Sequence, residues 1–133
     1  MHIIDTVVLL AFLDEDDPRF RKANHYVLEI SRESELFVPS EVLFELDLEL
    51  KSHGLTEDER NEIHSRMSRL IPVKKVMPTT PAALARASQL AKSAKWRGAY
   101  FDTIIVATGL ENSADSAIST DRRFVQLGLK TTF

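Results

Sequence analysis

Apolar residues follow two rhythms along this chain. Phe20, Ala23, Val27 and Ile30 recur at three- and four-residue intervals, the mark of one buried helix face. Between such stretches lie short apolar runs without that period: Ile3-Ile4, Leu36-Phe37-Val38 and Ala117-Ile118. Runs of this length bounded by polar or turn residues suit strands buried on both faces. The order predicted for the first half is a strand at Ile3-Ile4, a helix from Thr6 to Leu13, and a helix through Ser31. A strand from Glu35 to Pro39 follows, then a helix from Glu41 to His53 with Ser40 as N-cap and Gly54 as its stop. Thr56-Glu57-Asp58-Glu59 is a capping box that opens a helix toward Pro72, and Val73 to Val76 is a candidate strand. Thr80-Pro81 starts the next helix, whose packing stripe is expected at Leu84, Ala87, Ser88 and Ala91.

Local signals conflict in Phe101-Asp102-Thr103-Ile104-Ile105-Val106-Ala107. Its β-branched content suggests a strand, while its continuation through Glu111 suggests a buried helix, and periodicity leaves both open. Ala117 to Ser119 reads as a strand, Asp121 to Leu127 as a helical turn, and Lys130 to Phe133 as a last strand. Strands alternating with helices predict an α/β fold, a mostly parallel sheet with helices on both faces. One helix departs from the usual single apolar stripe. Leu43, Leu46 and Leu50 share a face while Phe44 and Leu48 lie nearly opposite, at about 100° per residue. The second face is expected to be covered by the helix from Thr56 to Leu70 or by a second subunit, which points to a homodimer.

Composition narrows the class. At 133 residues, 44% apolar and 28% charged, the chain reads as one globular domain over residues 1–133. Absence of cysteine excludes disulfides, thiolate metal sites and a cysteine nucleophile, and suits a cytoplasmic location. No apolar run approaches the roughly 20 residues that span a bilayer, so no membrane association is expected. The N-terminal apolar run lacks a basic flank and contains Asp5, unlike a signal peptide. A net charge of −3 is not that of a protein holding nucleic acid by charge alone. A nucleic-acid partner would need a local basic patch or a metal.

Asp5 is the anomaly in that first run. A buried carboxylate needs a partner, and Asp is also a favoured N-cap. The same topological description fits three acids: Asp5 and Asp121 follow strands, and Asp102 opens an apolar segment. Glu45, on the border between the two faces of its helix, can reach the same sheet edge. Carboxylates gathered there repel one another unless cations lie between them, and oxygen ligands without thiolates suit Mg²⁺ or Mn²⁺. Such a site suits attack of water on a phosphodiester. Asp14-Glu15-Asp16-Asp17 lacks the spacing and glycine of a calcium loop, and no two of the four histidines have a close metal-ligand spacing. Nucleotide-binding glycine loops are absent. Val7 stands where a phosphatase with Asp5 as nucleophile would carry a second Asp.

These residues resemble the PIN-domain nucleases, and among them the small VapC-type toxins. The resemblance runs through Ile3-Ile4-Asp5-Thr6, then Pro39-Ser40-Glu41-Val42-Leu43-Phe44-Glu45-Leu46, then Asp102-Thr103-Ile104-Ile105-Val106-Ala107, and finally Ser119-Thr120-Asp121-Arg122-Arg123-Phe124. Ser119 stands at a usual Thr, and Gly109 at a usual small residue. The match selects Glu45 over Glu41, Asp47 and Glu49, and it favours helix for the segment after Asp102. It implies a PIN-like three-layer α/β/α sandwich. It also implies metal-dependent cleavage of RNA to 5′-phosphate and 3′-hydroxyl ends, with an antitoxin protein as partner. Asp5, Glu45, Asp102 and Asp121 would hold Mg²⁺ or Mn²⁺ and form the catalytic set. Thr6 and Ser119 would hydrogen-bond the carboxylates or only cap local turns. Arg97, Arg122 and Arg123, with Lys95, are candidates for RNA contact, against the alternative of a solvated basic surface. Trp96 is expected to pack at a core edge or a subunit contact, and Asp115 to be merely solvated. A non-catalytic PIN-like module that grips RNA or protein, and an RNA-processing nuclease without an antitoxin, are the competing functions.

Overall fold

The computed structural model describes residues 1–32, 34–93 and 100–133. Lys95, Trp96 and Arg97 lie outside the described residues. The elements in order are β1 (His2–Ile4), α1 (Thr6–Leu13), α2 (Phe20–Ile30), β2 (Leu36–Pro39), α3 (Ser40–Ser52) and α4 (Glu57–Leu70). A 3₁₀ turn (Val73–Lys75) leads to β3 (Val76–Met77), α5 (Pro81–Ser93), α6 (Tyr100–Glu111), β4 (Ser116–Ile118), α7 (Arg123–Gln126) and β5 (Lys130–Thr132). The sheet has five strands in the order β3-β2-β1-β4-β5, and every pairing is parallel. The expected α/β/α sandwich is therefore present, with a sheet that is wholly parallel. β1 occupies its centre, with His2 in register with both Leu36 and Ser116.

Ile3 and Ile4 are both fully buried. Successive strand residues face opposite sides, so β1 is covered on both faces. Ile3 turns toward α6, close beneath Gly109, where a β-carbon would come within 2.9 Å of the Ile3 Cδ1 and 3.4 Å of Leu129. The segment after Asp102 is helix despite its β-branched residues, because Thr103 through Gly109 are all buried between the sheet and α5. Gly109→Ala is expected to be near neutral, since about 1 kcal/mol of helix propensity offsets a tight contact. Gly109→Val adds two methyl groups to the same space and is expected to cost about 2–3 kcal/mol, read as a lowered urea midpoint.

Three local expectations are corrected. Ser40 is the first helical residue and not the cap. Its hydroxyl lies 2.8 Å from Thr79 Oγ1 and accepts a hydrogen bond from Thr79 N at 3.1 Å, stitching the end of β2 to that of β3. Val73 to Lys75 is a 3₁₀ turn because Lys75 points inward. Its Nζ donates to the Ser34 carbonyl and sits 4.6 Å from the Phe37 ring centroid. In α5, Ala83 and Ala87 are the buried residues and Leu84 is exposed, so the buried stripe is turned about the helix from the one expected.

The two-faced helix is partly resolved. Leu46 and Leu50 are buried in the core, and Leu43, partly buried against it, lines a pocket with Met67 and Ile71 at the α4 side. Asp47 ties the helices together, accepting from Arg60 Nε at 3.1 Å and lying 2.7 Å from His64 Nε2. α4 does not cover the opposite face: Phe44 remains 65% exposed and Leu48 52%. The capping box at Thr56 and Glu59 forms as expected, and Gly54, at φ +85°, makes the turn between the helices.

Candidate active site

Parallel pairing puts the carboxyl ends of β1 and β4 side by side, and Asp5 and Ser119 leave those ends together. Asp5 caps α1: its Oδ1 accepts from Thr6 N at 2.7 Å. Its Oδ2 accepts from the Ser119 hydroxyl at 2.5 Å. Ser119 Oγ in turn accepts from Asp121 N at 3.0 Å, so one buried hydroxyl links two of the acids. Thr6, the first residue of α1, donates its hydroxyl to Glu45 Oε2 at 2.5 Å. Thr6 and Ser119 thus each hold a carboxylate, which a purely local cap would not do.

Asp102 reaches the same place from the first turn of α6. Asp5, Glu45, Asp102 and Asp121 line one open pocket with Thr6, Thr120, Glu49 and Arg123. Glu49 was passed over in the sequence. Its only signal is position, one helical turn beyond Glu45 and hence on the same face. Asp115 lies at the other end of β4, paired with the N-terminal amine at 2.6 Å, and takes no part. Glu41 is also elsewhere: it is buried, accepts from Thr108 at 3.4 Å, and its Oε2 makes no hydrogen bond of good geometry.

The acids differ in their hold on a proton. Burial raises Asp5 to about 7, with the Ser119 and Thr6 hydrogen bonds opposing and Glu45 and Asp102 adding repulsion. Burial raises Asp102 to about 6, with Arg123 opposing. Glu45 is raised for the same first reason. Asp121 moves the other way, because hydrogen bonds from Arg123 favour its charged form. Arg123 grips Asp121 with Nε at 2.8–2.9 Å and with Nη2 at 2.5 Å, and Nη2 also lies 3.1 Å from Asp102. Arg123, a candidate for RNA contact, here pairs with two of the acids. Arg122 is exposed beside it and, among the described residues, forms no ion pair with them. Arg97 lies outside the described residues.

The donor set is made of oxygens alone, which is the chemistry of a hard divalent cation. Three of its acids are held above their ordinary range by burial and mutual repulsion, and a bound cation would relieve both. Among the described residues no three acidic or histidine side chains converge on one point, and the Arg123 guanidinium lies between Asp102 and Asp121. The set fits a divalent cation in kind, and Arg123 marks where positive charge is accepted.

The PIN domain model matches residues 2–130, and the chain belongs to the PIN domain family. It is 29% identical over 132 residues to a VapC ribonuclease of Aquifex aeolicus (strain VF5), covering 98% of this chain and 95% of that protein. Among solved structures it is similar to FitAcB from Neisseria gonorrhoeae, with a TM-score of 0.74 and 19% identity, covering 100% of this chain and 97% of that one. It is also similar to VapC20 of Mycobacterium tuberculosis, described as a sarcin-ricin loop cleaving toxin, with a TM-score of 0.73 and 18% identity, covering 97% and 96%. At these identities the structures speak for the fold. Among the described residues no helix is long and apolar enough to cross a membrane.

Proposed function

We propose that this chain is a divalent-metal-dependent endoribonuclease of VapC type, acting through Asp5, Glu45, Asp102 and Asp121. The observation that carries the reading is the gathering of these acids, from four separate elements, at one pocket on the carboxyl edge of the sheet. The ribonuclease name of the Aquifex relative and the toxin description of VapC20 support the substrate class and an antitoxin partner. Mg²⁺ and Mn²⁺ suit the oxygen donors equally. Asp5, Glu45, Asp102 and Asp121 would hold such a cation, which when bound would supply activation of water and charge neutralisation for phosphodiester hydrolysis. The protein's own part is orientation. Ser119 fixes one oxygen of Asp5 and the backbone of Asp121. Thr6 fixes Glu45, and the start of α1 supplies positive dipole charge beneath Asp5. The exposed Phe44 and Leu48 support self-association through α3.

The test is cleavage of a structured RNA with Mg²⁺ or Mn²⁺. Asp121→Asn and Asp102→Asn are expected to lower the rate at least about a hundredfold. Thr6→Val, which removes only the hydroxyl that holds Glu45, is expected to lower it about 10–100-fold. Cleavage that survives EDTA, or is unchanged in both Asp variants, would overturn the reading.

A further inference from the structure

We propose that Arg123 is a built-in counter-ion that competes with the divalent cation for Asp102 and Asp121. The inference rests on the metal-binding reading above. Arg123 is the one cationic side chain among the described residues that line the pocket, against five carboxylates there: Asp5, Glu45, Glu49, Asp102 and Asp121. One guanidinium nitrogen, Nη2, bridges Asp121 at 2.5 Å and Asp102 at 3.1 Å. That is the role a cation would play between the same two acids. The acids are well covered, with side chains 15% and 21% exposed, while the Arg123 side chain is 53% exposed. The guanidinium is therefore the partner that reaches solvent, whereas the acids are held within the fold. Its attachment at the first residue of α7, two positions after Asp121, keeps it beside the pocket when displaced. A paired arginine lowers the repulsion among the acids of the metal-free protein, and a cation that takes Asp102 or Asp121 from it must break charge-assisted contacts.

The experiment is Mn²⁺ binding, followed by calorimetry or by loss of the free-ion electron paramagnetic resonance signal, with no RNA present. Arg123→Gln is expected to bind Mn²⁺ about tenfold more tightly than wild type and to have a lower melting temperature without metal. Arg123→Lys keeps the charge but loses the two-pronged grip and is expected to fall between them; it also carries the test if the Gln variant does not fold. Arg122→Gln removes the same charge from the next residue and is expected to change affinity less than threefold. Unchanged or weaker binding in Arg123→Gln overturns the proposal, as does an equal gain in Arg122→Gln, which would make the effect long-range charge only. If wild type binds no Mn²⁺, the metal reading fails. If it binds Mn²⁺ through Asp121 but ignores Arg123, only this inference fails.

Discussion

Asp5→Asn is expected to stabilise the metal-free protein at pH 8 while abolishing cleavage. Asp5 is 6% exposed, and burial raises its pKa from 3.8 to about 7. The folded state therefore holds the proton more tightly than the unfolded chain. Stability from this group is fully present below about pH 4 and is lost as pH rises through 7. Three pKa units correspond to at most about 4 kcal/mol, partly relieved by local rearrangement. Asparagine removes the charge and keeps both bonds in reach: its oxygen can accept from Thr6 N, and its amide can donate to Ser119 Oγ, which already accepts from Asp121 N. Gains of about 1–3 kcal/mol at pH 8, or several degrees in melting temperature, are expected, with variant and wild type equal at pH 4. Mn²⁺ should raise the melting temperature of wild type and not of the variant. A variant destabilised at pH 8 would show that the two hydrogen bonds outweigh the buried charge.

How much of this was readable without coordinates depends on how local each cause is. The order of acids was legible because each sits at an element end marked by its own neighbours: Ile3-Ile4 before Asp5, Pro39 before the helix of Glu45, Ala117-Ile118 before Asp121. Helix α6 was not legible from pattern alone. Ile104, Ile105 and Val106 favour strand locally, and a helix buried all round shows no polar face; the family resemblance decided it. Lys75 was missed because a lysine reads as solvated, while its partners, the Ser34 carbonyl and the Phe37 ring, lie about 40 residues away. The pairing of Arg123 with Asp102 is likewise a fact of three dimensions, since 21 residues and a strand separate them. Phe44 and Leu48 were read correctly as a second apolar face, but sequence could not say that α4 leaves it open.

Phe124→Ala is expected to have the largest effect on stability and to reach the pocket as well. Phe124 is fully buried, together with Leu127 and Leu129 at the foot of α7. Truncating a buried phenylalanine costs about 3–5 kcal/mol, a large share of a domain's net stability. The residue also closes the turn that carries the acid. Its amide donates to the Asp121 carbonyl at 3.2 Å, and its carbonyl accepts from Leu129 N at 3.0 Å. Gly128, at φ +100°, lets the chain double back to make that second bond. With the ring gone, the turn loses its largest buried side chain and keeps Leu127 and Leu129 beneath it, while Ser119 and Arg123 still hold Asp121 from above. Urea unfolding should register the full loss, and Mn²⁺ titration at low temperature, where the variant stays folded, should show weakened binding. Phe124→Leu keeps most of the volume and is expected to lose less stability and bind Mn²⁺ almost as wild type does. Wild-type affinity in a folded Phe124→Ala would make the ring a core residue only, and would assign the placing of Asp121 to its hydrogen bonds with Ser119 and Arg123.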